Sequence, residues 1–154
     1  MSMFTPGHLG KWEPLFHDLV EGESQSLTPE GTWMLGDKPG LVAVLEGEEL
    51  VYIGAAASIA KTLATFIKGG AVSDFRTHVA TLDLGISPKT AEQRAQSGPA
   101  AERVNKRISK MRYRVVPAQP SLLDTLAAAF TVVGDPRYNG PTAMANRAID
   151  ALPK

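Results

Sequence analysis

The amino-acid sequence predicts an α+β fold, a small antiparallel β-sheet made of a hairpin plus a later strand and flanked by helices. Three observations carry this. Apolar runs at residues 41–45 and 50–54 meet at the turn Glu46-Gly47-Glu48-Glu49, which reads as a hairpin. After Gly54 the apolar period lengthens from two to 3.6, with Ile59, Leu63, Phe66 and Ile67 on one helical stripe. Residues 111–116, Met-Arg-Tyr-Arg-Val-Val, read as the later strand and stop at Pro117.

In chain order, Leu15, Phe16, Leu19 and Val20 have helical spacing behind Pro14, and the polar stretch 21–28 reads as a loop. Residues 31–35 are expected to form a strand, followed by the turn Asp37-Lys38-Pro39-Gly40. Past the hairpin, Gly69-Gly70 stops the first long helix. Ser73 caps a second helix carrying Phe75, Val79 and Leu82 on one side. Ser87-Pro88 opens a polar third helix that frays near Ser97-Gly98, and Pro99 starts a fourth. Ser121 and Asp124 have the spacing of a capping box ahead of Leu126, Ala127, Phe130 and Val133, a helix ending at Gly134-Asp135-Pro136. A last helix, from about 141 to 152, carries Ala143, Met144, Ala148 and Leu152. Residues 1–30 are expected to be an N-terminal extension packed on a domain spanning 31–154.

At 154 residues the chain suits one domain that buries about 70% of its unfolded surface. It has no cysteine, which excludes disulfide scaffolds, thiolate metal sites and thiol catalysis. No apolar run approaches the ~20 residues of a membrane span, and residues 1–10 lack the basic flank and apolar core of a secretory signal. A soluble cytoplasmic domain with no membrane partner is the expectation. His8, His17 and His78 are too dispersed for a metal motif, and GxxxxGK[ST], GxGxxG and GxSxG are absent.

The net charge is zero, yet residues 1–50 hold two basic and nine acidic residues, while residues 51–154 sum to +7. The densest positive stretch is Arg103, Lys106, Arg107, Lys110, Arg112 and Arg114. Its first four members share one helical arc beside an apolar arc of Ala101, Val104, Ile108 and Met111. Such a face is either a solvated surface or a phosphate-binding one.

Gly40-Leu41-Val42 on one hairpin strand, Tyr52-Ile53-Gly54 on the next, the amphipathic helix that follows, and a later helix running into Asp135-Pro136-Arg137-Tyr138-Asn139 together resemble the GIY-YIG nuclease superfamily. The resemblance covers residues 40–140 and implies the GIY-YIG-like fold. It implies that Tyr52 is the second motif tyrosine, that Gly54 is the glycine letting backbone approach substrate, and that Asn139 is the terminal asparagine. Three positions depart from the family: Val42 for the first tyrosine, Thr62 for the arginine and Ala127 for the metal-binding glutamate. Phosphodiester cleavage needs a cation and a metal-bound acid at the reacting phosphorus. Threonine and alanine supply neither. Lys61 and Arg76 are the nearby substitutes for the cation, and Asp124, one turn before Ala127, for the acid.

Three functions follow. The leading expectation is a catalytically degenerate GIY-YIG-like domain that binds nucleic acid, DNA foremost, without a cofactor. Its contacts would come from Tyr52, Gly54, Lys61, Arg76, Arg103, Lys106, Arg107, Lys110, Arg112, Arg114 and Asn139, with Trp33, Tyr52 or Tyr113 stacking on bases where exposed. The second is an endonuclease with a rearranged site, Tyr52, Arg76 and Asp124, dependent on Mg or Mn. The third is a protein-interaction module in which the acidic first third meets the basic remainder, either between copies in a homo-oligomer or within one chain.

Overall fold

A computed structural model describes residues 4–69 and 73–150, the side chains of Pro88, Glu92, Gln93 and residues 146–150 excepted. Near the N-terminus a 3-10 turn, Pro6–Trp12, leads into helix α1 (Glu13–Glu21). Strand β1 (Gln25–Ser26), helix α2 (Pro29–Thr32) and the hairpin strands β2 (Gly40–Glu46) and β3 (Glu49–Ala56) follow. Helices α3 (Ile59–Lys68), α4 (Asp74–His78), α5 (Pro88–Arg94) and α6 (Pro99–Ile108) precede strand β4 (Arg112–Pro117). Helices α7 (Leu123–Gly134) and α8 (Pro141–Asp150) close the described chain. The sheet has the order β1-β4-β2-β3, with every pair antiparallel.

The two-residue period of a strand sends alternate side chains of β2 to opposite faces. Val42 and Val44 pack with Leu63, Phe66, Phe75, Val79, Val104 and Ile108, so helices α3 to α6 cover one face. Leu41 and Ala43 pack with Phe16, Leu19, Leu126 and Phe130, so α1 and α7 cover the other. The sheet is therefore the middle of three layers. Among the described residues no helix is long and apolar enough to cross a membrane.

Several sequence expectations are corrected. Residues 31–35 form no strand; Thr28 caps α2 by accepting from Gly31 N at 3.2 Å, and Pro29 occupies the first helical position, a start signal that outweighs the apolar run behind it. Part of the supposed loop, Gln25 and Ser26, instead pairs with Tyr113 and Arg112. The capping box at Ser121 does not form, because Pro120 opens a 3-10 turn, Pro120–Leu122, and α7 starts beyond it with Leu122 at its cap position. Asp124 still lies in the first turn, where the helix dipole favours an acid. Leu82 does not join the core and is 43% exposed. It lies in a π-helical turn, Val79–Asp83, whose wider winding shifts the side-chain register and directs Asp83 inward. Gly70 and Leu152, assigned to a helix stop and to the last helix, lie outside the described residues.

Candidate functional site

The hairpin register sets Tyr52 opposite Val44 and Gly54 opposite Val42, on the face covered by α3 to α6. The Tyr52 ring meets Phe66 edge-on at 5.7 Å and lies 5.3 Å from Phe75 and 6.3 Å from His78. It folds back over Gly54: a Cβ there would stand 2.7 Å from a Tyr52 ring carbon and 2.9 Å from its hydroxyl, so any larger residue displaces the phenol. Asn139 clamps the strand from its other side of the motif, donating from Nδ2 to the Ile53 carbonyl at 2.7 Å and accepting from Ile53 N at 3.4 Å. Tyr52 thereby stands between two adjoining clefts. One, of about 370 Å³, is lined by Asp74, Thr77, His78, Asn139 and Met144. The other, of about 240 Å³, is lined by Thr62, Thr65, Ser73 and Asp74.

The electrostatics of these clefts do not suit a reacting phosphate. Among the described residues that line them, Asp74 and His78 are the ionisable side chains besides Tyr52, and none is a lysine or arginine. Burial and the Asp74 charge push the Tyr52 phenol up to about 12. Burial likewise raises Tyr113, and burial with the Asp83 hydrogen bond raises Tyr138 against the opposing effect of Arg137. These are all three tyrosines of the chain. A raised phenol keeps its proton in the folded state after the unfolded chain has lost it, so stability is intact below pH 10 and declines above it. Phenolate absorbance is therefore expected to appear only together with loss of the near-ultraviolet dichroism of the folded protein. A tyrosine ionising near pH 10 in the still-folded chain would contradict this arrangement.

The residues expected to substitute for the missing catalytic groups are not brought together. Thr62 does line a cleft with Tyr52, but its hydroxyl is no cation. Ala127 packs in the opposite layer, and exposed Asp124 belongs to the same helix, so the sheet separates both from Tyr52. Lys61 is exposed on α3 and is not among the groups lining either cleft. Among the described residues no three His, Asp or Glu side chains converge as a metal ligand set, and the acid and phenol needed for an Mg or Mn site lie on opposite faces. The residues present do not fit that metal.

Arg76 is corrected most sharply. It is fully buried, and its guanidinium donates to the carbonyls of Phe66 at 2.8 Å, Ala95 at 2.8 and 3.0 Å, and Ile67 and Ala101 at 3.4 Å. It closes the C-terminal ends of α3 and α5, where carbonyls lack helical partners and the dipole is negative. Burial pulls its pKa down to about 10, which leaves it charged at neutral pH. It is thus unavailable to a nucleic acid. The core spacing of Phe75 with Val79 and of Arg76 with Ala80 was the signal that residue 76 points inward.

Three arginines of the basic stretch, and Arg137 outside it, are also engaged. Arg107 pairs with Glu46 at 2.8 Å and Asp83 at 3.1 Å. Arg137 pairs with Glu49 at 2.9 Å, Glu46 at 3.2 Å and Asp83 at 3.7 Å. The Tyr138 hydroxyl also donates to Asp83. Arg112 donates to the Ser24 hydroxyl at 2.8 Å and its carbonyl at 2.6 Å, while Arg114 donates to the carbonyls of Gly22 and Val20. The acidic first third and the basic remainder thus meet partly within one chain. Arg103 and Lys106 on α6 and Lys110 in the turn after it stay exposed, as do Lys61 and Lys68 on α3 and Lys89 and Arg94 on α5. Trp33 is 76% exposed, whereas Tyr113 is 3% exposed and donates its hydroxyl to Gly31, which removes it as a base-stacking group. Sequence reading did not anticipate the cluster around Asp83, because its members come from four separate segments. Compared with protein-family models, curated proteins and solved structures, the chain matches none.

Proposed function

We propose that this chain is a GIY-YIG-like domain that binds nucleic acid through its phosphates and has no cutting site. The observation that carries the reading is the exposed face of α6. Arg103 and Lys106 lie on one side of the helix, with exposed Lys110 in the turn that follows it, while Ala101, Val104 and Ile108 hold the opposite arc in the core. Lys61, Lys68, Lys89 and Arg94 are exposed on helices of the same layer. Cations presented in this way neutralise phosphates without reading bases. The GIY-YIG likeness is supported by Tyr52 and Val42 sharing one sheet face, by the phenol resting over Gly54, and by Asn139 clasping Ile53. The lack of cutting is supported by the separation of Tyr52 from Asp124 and by the withdrawal of Arg76 into the core.

A gel shift and nicking assay on one plasmid, with and without Mg or Mn, tests the proposal. Binding weakens steeply with salt, and the double charge reversal R103E/K106E lowers affinity about tenfold and flattens the log–log salt slope by about two. No nicking is expected with either metal. Unchanged binding in the double variant removes this face from the interface, and metal-dependent nicking lost in Tyr52→Phe establishes a nuclease instead.

A further inference from the structure

The corner between α2 and β2 carries Trp33 and Met34, 76% and 78% exposed, the two most exposed large apolar side chains among the described residues. This corner is pinned. The Tyr113 hydroxyl donates to the Gly31 carbonyl at 2.6 Å, and Gly31 N donates to Thr28 Oγ1 at 3.2 Å. Leu35 packs on the core and its amide donates to Thr32 O at 3.1 Å. Next along the chain, the corner is fastened to the start of α3: Ala60 N donates to Gly36 O at 3.3 Å and Ile59 N to Lys38 O at 2.9 Å. From there the outward side of α3 reads Lys61, Ala64, Lys68, all exposed, and residues 59–68 contain no acid. The two lysines are seven residues apart, on one side of the helix and about 10 Å from each other.

We infer that Trp33 is a stacking platform for an unpaired base, and that Lys61 and Lys68 hold the phosphates of the strand leading from it, so the ligand is single-stranded nucleic acid or a single-stranded stretch beside a duplex. A base inside a duplex has both faces covered, so only an unpaired base offers a face to an exposed indole. Glu30 and Asp37 are exposed at the corner, and Asp37 accepts from the Ser58 hydroxyl at 2.9 Å. Lys38 is exposed beside them, so the corner carries two acids against one cation and supplies chiefly aromatic contact, while α3 presents lysines with no acid. A protein partner is less well served, because two side chains fall far short of the ~1,000 Å² a specific protein interface buries. The inference rests on the phosphate-binding reading above and narrows its ligand class.

The test compares one oligonucleotide, single-stranded and as its duplex, on the full chain, on Trp33→Ala and on R103E/K106E. Trp33 is solvent-exposed, so its removal leaves the folded dichroism intact. Single strand is expected to quench the indole emission of the wild-type protein, and Trp33→Ala to abolish most of that quenching. The variant should bind single strand about tenfold more weakly while duplex affinity stays within about twofold. Trp12, half-buried with Lys11 at 5.0 Å over its ring, remains as the unquenched reference. Equal losses on both ligands, or none on either, overturn the platform; if R103E/K106E still weakens binding in that case, phosphate binding by α6 survives without it. A wild-type chain that binds neither ligand at low salt overturns both readings. A shift in oligomeric state on Trp33→Ala, with single-strand affinity unchanged, assigns the corner to a contact between copies and also overturns the platform.

Discussion

Replacing Arg76 by methionine is expected to lower the unfolding free energy by about 3–5 kcal/mol, with the thermal midpoint falling by about 10 °C. Methionine keeps most of the buried volume, so the loss reports the polar contacts. The carbonyls of Phe66, Ile67 and Ala95 stand at the ends of α3 and α5, where a helix runs out of its own amide donors, and the guanidinium donates to all three. Leaving buried acceptors bare costs more than a hydrogen bond ordinarily contributes. Gly69 shows how closely the groups are set: its φ is +74°, and a Cβ there would stand 2.5 Å from the Gln96 carbonyl and 3.0 Å from the Arg76 guanidinium. Arg76→Lys retains the charge and loses the planar fork that reaches both helix ends, so it should recover only part of the stability. A urea transition that moves to a lower midpoint with unchanged slope is the expected signature. If Arg76 instead contacted phosphate, its replacement would leave the urea midpoint in place and reduce the salt slope of binding.

Asp83→Ala should be the second most damaging change described here, at about 2–4 kcal/mol. Its side chain is only 12% exposed and receives Arg107 Nε at 3.1 Å, the Tyr138 hydroxyl, and Arg137 at 3.7 Å. The Tyr138 ring is itself fully buried, with the Arg137 guanidinium 5.1 Å above it and the His78 ring stacked at 6.3 Å. Removing the carboxylate takes an acceptor from the Tyr138 hydroxyl and leaves Arg107 and Arg137 with Glu46 as their shared acid. The carboxylate thus joins the π-helical turn to α6 and to the segment after α7, while Glu46 extends the same cluster to the hairpin turn. Glu49 supplies the contrast. Its carboxylate is 54% exposed, so solvent screens its pairing with Arg137 and Glu49→Ala should cost under about 1 kcal/mol. Urea melts of the two variants should therefore differ clearly. Equal, small losses would show that the cluster is a surface pairing and does not hold the segments together.

The difference between these positions explains what could be read from the chain alone. Hairpin, helices and later strand were legible because each rests on a local pattern: the unbroken apolar run at residues 41–45, the stripe of Ile59, Leu63 and Phe66, and the Pro117 stop. Short elements were misread where two local signals competed, as when the Thr28-Pro29 start prevailed over the apolar run beyond it. The charged groups were read least well. Arg76 looked like a surface cation, and Arg107, Arg112 and Arg114 looked like one basic strip. Apart from the α3 carbonyls on Arg76, their partners lie 19 to 94 residues distant, beyond the span over which a local pattern is read.

Composition and periodicity alone determined the α+β class, the hairpin that carries Tyr52 and Gly54, and the amphipathic α6, since these depend on backbone preference and on which side of an element is apolar. Tertiary structure decided which cations remain at the surface. A guanidinium is held wherever unpaired carbonyls or carboxylates converge, and that convergence arises only when α3, α5, α6 and the hairpin turn are packed around one another. Arg76 and Arg107 were captured in this way, whereas Arg103, Lys106 and Lys110 were left facing water.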